Sequence, residues 1–191
     1  MGFASLWPFI AFGLVTLLHY LSLKIQDRYQ FYTKTFGKFG FWIHFVLTFL
    51  LWIYLGKLLS GVSLPSLGLL PISFRGMEAV GDILNVAGTV AIVWSILILG
   101  IKRMWGVRYF ERQTHERFEK RGPYRLLNNP MYNGFSLLFL ASAFINNSSS
   151  HLFLSIESFV LFGLLSKFEN KRINDRTIER TVNEIHKISP H

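Results

Sequence analysis

Residues 121–134 read RGPYRLLNNPMYNG, the one place in this 191-residue chain where turn formers, cations, amides and aromatics crowd together between two long apolar regions. Gly122-Pro123 marks a turn. Asn128 or Asn129 followed by Pro130 supplies a helix N-cap and a proline in the first helical turn, where its missing N–H costs nothing. Such a stretch is expected to fold at a membrane surface and to hold the chemistry.

Outward from it, 51% of the residues are hydrophobic and 16% aromatic, set in long runs rather than amphipathic periods. The expected fold class is therefore all-α: a polytopic membrane helix bundle of about five spans, forming one integral membrane domain over 1–191. Three spans fall within 1–101: Phe3 to Leu23, Phe39 to Leu59, and a third opening at Asp82 or Asn85 and running to about Ile101. The first has no basic region before it and no small-residue cleavage site after it, so it reads as a span rather than a signal peptide. Residues 24 to 38 form a basic connection flanked by His19 and His44, which read as interfacial histidines. Ser60 to Gly81, broken by Pro65 and Pro71, reads as a loop on the bilayer.

Residues 102–191 comprise a basic loop, a helical hairpin and a tail. The hairpin arms are Met131 to Ile145 and Leu152 to Phe168; at about 1.5 Å per residue the first reaches only about 22 Å, short for a hydrocarbon core of about 30 Å. Glu157 lies inside the second arm, where a carboxylate is expensive and usually functional or bundle-facing. From Glu169 the tail is charged and helical in pattern, a C-terminal amphipathic helix.

Loop one carries four cations, loop three eight and the tail six counting Lys167, whereas the connection within the hairpin carries none. The positive-inside rule puts the basic loops and the tail in the cytoplasm. The net charge of +9 sits beside apolar spans rather than on a soluble basic face, so anionic lipid headgroups are the expected partner and nucleic acid is not. With no cysteine there is no disulfide framework, thiolate nucleophile or cysteine-based zinc site, and the six histidines show no paired ligand spacing, so no metal is expected. Oligomeric state is left open.

The string at 121–134 resembles the cofactor motif of the integral-membrane methyltransferases that use S-adenosylmethionine, the isoprenylcysteine carboxyl methyltransferase and phospholipid N-methyltransferase group. Gly122, Tyr124, Pro130, Tyr132 and Gly134 fall in register with the carboxyl branch, with Asn128 and Asn129 in place of its Arg-His pair. Asn129, Pro130, Met131 and Tyr132 reproduce the N-P-M-Y of the phospholipid branch. A Glu-Glu pair follows the last span in this family; Glu169 matches the first acid, Asn170 stands at the second, and Glu184 to Pro190 follows the rest only loosely. The match covers roughly the last 80 residues.

The resemblance implies an S-adenosylmethionine site on the cytoplasmic face, made by Gly122, Tyr124, Asn128, Asn129, Pro130, Tyr132, Gly134 and Glu169. It implies methyl transfer to a membrane lipid, either the amine of a phosphatidylethanolamine-type phospholipid or the carboxylate of a prenylated cysteine, in the endoplasmic reticulum or a bacterial inner membrane. Glu169 would serve an amine by taking its proton, and Arg121 or Arg125 would place a carboxylate. Glu169 and Arg125 are thus the catalytic candidates. Two rivals of other classes stand beside this reading: an NADPH-dependent sterol-type reductase, which ends in a similar Arg and Pro-x-Tyr motif, and a non-catalytic membrane protein, suggested by Asn170.

Overall fold

The computed structural model describes residues 6–61, 70, 75–110, 119, 121–127 and 129–188, with the backbone alone at 58–61, 174–177 and 179–188. Asn128 and Pro190 lie outside the described residues, as do most of the expected bilayer loop and part of the basic third loop. The described residues form only helices and turns. They are α1 (Trp7–Tyr29), α2 (Phe31–Phe36), α3 (Gly40–Gly61), α4 (Met77–Leu99), α5 (Ile101–Met104), α6 (Pro130–Ile145) and α7 (Ser149–Ile188), with 3-10 turns at Gly37–Phe39, Val107–Tyr109 and Gly122–Arg125. Four stretches are long and apolar enough to cross a membrane: Trp7–Tyr29, Phe31–Lys57, Met77–Leu99 and Ser149–Ile173. The fifth expected span, α6, is the shorter hairpin arm. Large apolar side chains such as Leu18, Leu50, Ile83, Leu97 and Leu164 point outward, as a lipid-facing exterior requires.

Several boundaries differ from the sequence expectations, each for a physical reason. Helix α1 runs past Leu23 to Tyr29, because Gln26 is buried and Asp27 is paired, so the polar residues after Leu23 have partners inside the bundle. It stops at Gln30, which takes a left-handed conformation (φ 54°) and donates its side-chain amide to Gln26 O at 2.9 Å. The expected polar connection is mostly the short helix α2. Helix α4 opens at Met77 rather than at Asp82 or Asn85, with Glu78 in its first turn, where the helix dipole favours an acid. The last expected span and the tail are one continuous helix of 40 residues. The change from apolar to charged sequence at Glu169 is a change of environment along one rod, not a break in it.

Two kinds of packing assemble the bundle. Helices α4 and α6 approach at their backbones: a Cβ on Gly88 would lie 2.8 Å from Gly134 O, one on Gly134 2.8 Å from Gly88 O, and one on Gly81 3.1 Å from Ala141 O. The α6–α7 hairpin turns at Asn146–Ser148 and is tied by hydroxyls, with Ser158 Oγ donating to Ser136 Oγ at 2.9 Å and Ser155 Oγ to Ser136 O at 3.2 Å. Against this pair, α1 and α3 pack through rings. Phe12, 1% exposed, meets Trp52, Phe139 and Phe162 edge-on at centroid distances of 6.2, 5.5 and 5.9 Å. Glu157 faces α1, its Oε1 3.2 Å from where a Cβ on Gly13 would sit, which is the second of the two placements expected of it, functional or bundle-facing.

Candidate functional site

Pro130 is the first residue of α6, and a residue before proline is held out of the helical region, here at φ −145° for Asn129. Asn129 occupies the N-cap position but makes no side-chain cap bond, contrary to the sequence expectation. Its amide reaches across to α7 instead and donates to Glu169 Oε2 at 3.2 Å. Three residues on, Tyr132 donates its hydroxyl to Glu169 Oε1 at 3.2 Å. The two parts of the sequence motif, 40 positions apart, therefore converge on one carboxylate.

Glu169 is 8% exposed, and Arg108 Nη2 stands 3.4 Å from its Oε2. These groups line a polar cleft together with Arg103, Glu119, Tyr124 and Asn170. Tyr124 comes from the turn Gly122–Arg125. Its hydroxyl is buried beside Ser95 without completing a hydrogen bond, and burial raises its phenol above the usual value.

Of the sequence candidates, Tyr124, Asn129, Tyr132 and Glu169 meet in this cleft. Three others act on the scaffold. Pro130 starts α6; Gly122, at φ 54°, lies where a Cβ would strike Ile98 Cδ1 at 2.5 Å, and so presses the turn onto α4; Gly134 is the α4–α6 crossing point. Arg125 is exposed and does not line the cleft. Arg121, its side chain 75% exposed, is held by Glu119 through bonds of 2.8 and 3.0 Å.

The sequence reading missed Arg108 and the group behind it. Arg172 lies one helical turn beyond Glu169, on the same face. Its Nε donates to Asp27 Oδ1 at 2.7 Å and its Nη2 to Arg108 O at 3.0 Å, while its guanidinium sits 3.9 Å from the centre of the Tyr109 ring. Gln26 also donates to Tyr109 O at 3.3 Å. Tyr109 is buried and its phenol is pushed up by that burial. The end of α1 is thereby fixed to the segment that presents Arg108. The available signal was the i, i+3 spacing of Glu169 and Arg172 in a tail that otherwise reads as a solvated surface.

A second cavity, of about 380 Å³, opens between α1, α3, α6 and α7, lined almost wholly by rings and aliphatic side chains. Met104, Met131 and Tyr132 line both cavities, so the polar cleft and the apolar chamber share a wall. Phe162 stacks on Tyr132 at 5.1 Å and 13° and holds its ring in that wall. Neither His19 nor His44 is a water-facing interfacial residue: His44 is fully buried and His19 lines the chamber.

No curated protein and no solved structure matches the chain. Residues 77–175 match the phospholipid methyltransferase family, and that segment runs from the start of α4 through the Glu169 turn of α7. Since the match takes in more than half of the 191 residues and contains the whole glycine-packed pair and the carboxylate on which the cleft converges, the chain belongs to the phospholipid methyltransferase family, a family of membrane methyltransferases acting on lipids.

Proposed function

We propose that this protein transfers a methyl group from S-adenosylmethionine to the amine of a phosphatidylethanolamine-type phospholipid, on the cytoplasmic face of its membrane. The observation that carries the reading is the shared wall: a polar cleft for the donor meets an apolar chamber for a lipid at Met104, Met131 and Tyr132. The cleft's chemistry fits the donor. Glu169 offers carboxylate oxygens to ribose hydroxyls or an ammonium, Arg103 and Arg108 offer guanidinium groups to a carboxylate, and the Tyr124 hydroxyl is buried without a completed bond. When bound, the donor supplies an already activated sulfonium methyl.

The chain's own residues then have three tasks. Tyr132, held by Phe162, sets the wall at which donor and acceptor align. The chamber's rings exclude water from that line of approach. A lipid ammonium must shed a proton before its lone pair can attack, and Glu169 is the carboxylate bonded to the wall residue Tyr132, so it takes the proton directly or through water. Glu119, the cleft's other carboxylate, pairs with Arg121 and Arg103 instead.

Carboxyl methylation of a prenylated cysteine has one observation in its favour, the guanidinium of Arg108 inside the cleft, which suits a carboxylate acceptor better than the exposed Arg121 or Arg125. Incubating membranes that contain the protein with methyl-labelled donor separates the two. Label is expected in the lipid extract as methylated amine; label in base-labile esters would transfer the assignment to the carboxyl reaction. Binding of NADPH without S-adenosylhomocysteine would replace both with a reductase. Binding of S-adenosylhomocysteine with no turnover on any lipid or prenylated peptide would make Asn170, which lines the cleft, the mark of a non-catalytic member.

A further inference from the structure

His19, on α1, lines the apolar chamber between two tryptophans. Trp52 Nε1 lies 2.9 Å from His19 Nδ1, and the Trp105 ring runs parallel to the imidazole, 4° apart in plane at a centroid distance of 6.1 Å. An indole N–H only donates, so His19 Nδ1 must accept. A flipped ring would set a carbon against that N–H, and a proton on Nδ1 would set two donors against each other. The imidazole is therefore neutral with its proton on Nε2. Among the described residues the Trp52 contact at Nδ1 is the one hydrogen bond His19 makes, and Nε2 has no acceptor. The chamber's other polar groups include the Trp52 N–H, committed to His19, and the Tyr132 hydroxyl, committed to Glu169. A chamber of hydrocarbon and rings thus holds an oriented N–H donor whose orientation is set by a second residue.

We propose that His19 Nε2–H is the subsite for an oxygen of the bound lipid, an ester carbonyl or phosphodiester oxygen of its glycerol-phosphate region, and that this contact selects glycerophospholipids over bare alkyl chains. The proposal rests on the reading of the chamber as the lipid site. It assigns His19 to positioning rather than to proton transfer, because the basic lone pair on Nδ1 is occupied by the Trp52 N–H. His19 lies outside the residues matched by the family, 77–175, so the selection is a property of the N-terminal half.

Binding, not turnover, is the test. The full-length protein in detergent is titrated with a short-chain phosphatidylethanolamine and with a chain-matched alkylamine, following tryptophan fluorescence, for the native chain, His19→Asn and His19→Gln. Asn keeps an acceptor for the Trp52 N–H and loses the donor at the ε position; Gln extends an N–H to that position and loses the acceptor. Phosphatidylethanolamine is expected to bind about tenfold more weakly to His19→Asn and close to normally to His19→Gln, with the alkylamine unchanged in both. The reverse order, Gln weak and Asn normal, would show that His19 only braces Trp52 and would overturn the proposal. So would equal losses for phospholipid and alkylamine, or no lipid binding by the native chain. An ether-linked analogue and a diacylglycerol identify the oxygen: the Asn penalty vanishes with the first if it is the ester carbonyl and with the second if it is the phosphate. Because no methyl is transferred, a blank turnover assay with an intact Asn penalty would sink the methyltransferase reading and leave the subsite standing.

Discussion

Helices α4 and α6 meet through glycine, whereas α1 and α3 meet the rest of the bundle through aromatic rings. Where backbones touch there is no room for a cavity and little for adjustment, and the elements that carry Tyr124, Asn129 and Tyr132 are fixed to each other. Where rings meet edge-on they leave the chamber between them. The glycine-packed pair lies in the residues matched by the family; α1 and α3 do not. The contrast is a division of labour: the glycine-packed pair in the matched half is held rigidly, and the rings that α1 and α3 bring against α6 and α7 leave the chamber.

The sharpest way to break that division is Asp27→Asn. Asp27 belongs to the unmatched half yet pairs with Arg172, whose side chain is only 5% exposed. Removing the carboxylate leaves a nearly buried guanidinium facing a neutral amide, and the expected loss is about 3 kcal/mol of stability, read from denaturant or thermal unfolding in detergent. If stability were unchanged, the Asp27–Arg172 pair would carry no weight and ring packing alone would join the two halves.

Next in size is Glu169→Gln. The amide cannot carry the charge that Arg108 faces or take a proton, and kcat/KM is expected to fall by about 2 kcal/mol, roughly thirtyfold. Because Glu169 is a buried residue with three partners rather than a surface one, its substitution also perturbs the cleft, so donor affinity should be measured alongside the rate. Arg125→Gln is the matched control: an exposed cation outside the cleft, it is expected to alter rate and stability by less than about 0.5 kcal/mol. A large effect of Arg125→Gln with none at Glu169 would move the site to the outer face of the 121–134 turn.

The smallest of the three effects tests the rigid side. Gly134→Ala places a methyl 2.7 Å from Ile92 Cγ1 and 2.8 Å from Gly88 O, and backbone cannot yield as a side chain does. A loss of about 1–2 kcal/mol in unfolding is expected, with lipid binding in the chamber little changed. Equal damage to lipid binding would mean that the halves are coupled through α6 rather than divided.

Much of this was legible in the sequence, and what was not has a common cause. The apolar runs announced the helices because hydrocarbon demands long, uncharged segments. The N-P-M-Y string and Glu169 announced two sides of the cleft through resemblance alone, and their convergence needed the fold. Arg108 was one of eight loop cations with nothing local to distinguish it, and Asp27 and Arg172 find each other across 145 positions. Periodicity and spacing report neighbours within a few turns of helix; they are silent about such pairs. The continuity of α7 was obscured by composition, since charge after Phe168 reads as a boundary although no glycine or proline interrupts 164–188. From sequence His19 reads as a wet interfacial residue, because nothing there shows Trp52 hydrogen-bonding to it.

The unbroken course of α7 has a consequence for depth. Glu169 follows the first residue of that helix by 20 positions, about 30 Å of rise, close to the thickness of a hydrocarbon core. A rod of this kind works as a ruler: its zero is the Asn146–Ser148 turn, and its mark is the Glu169 carboxylate. A thicker bilayer draws the mark toward the oil and a thinner one lifts it into water, unless the helix tilts to compensate. The membrane around the protein thereby sets the depth of Glu169 relative to the lipid headgroups.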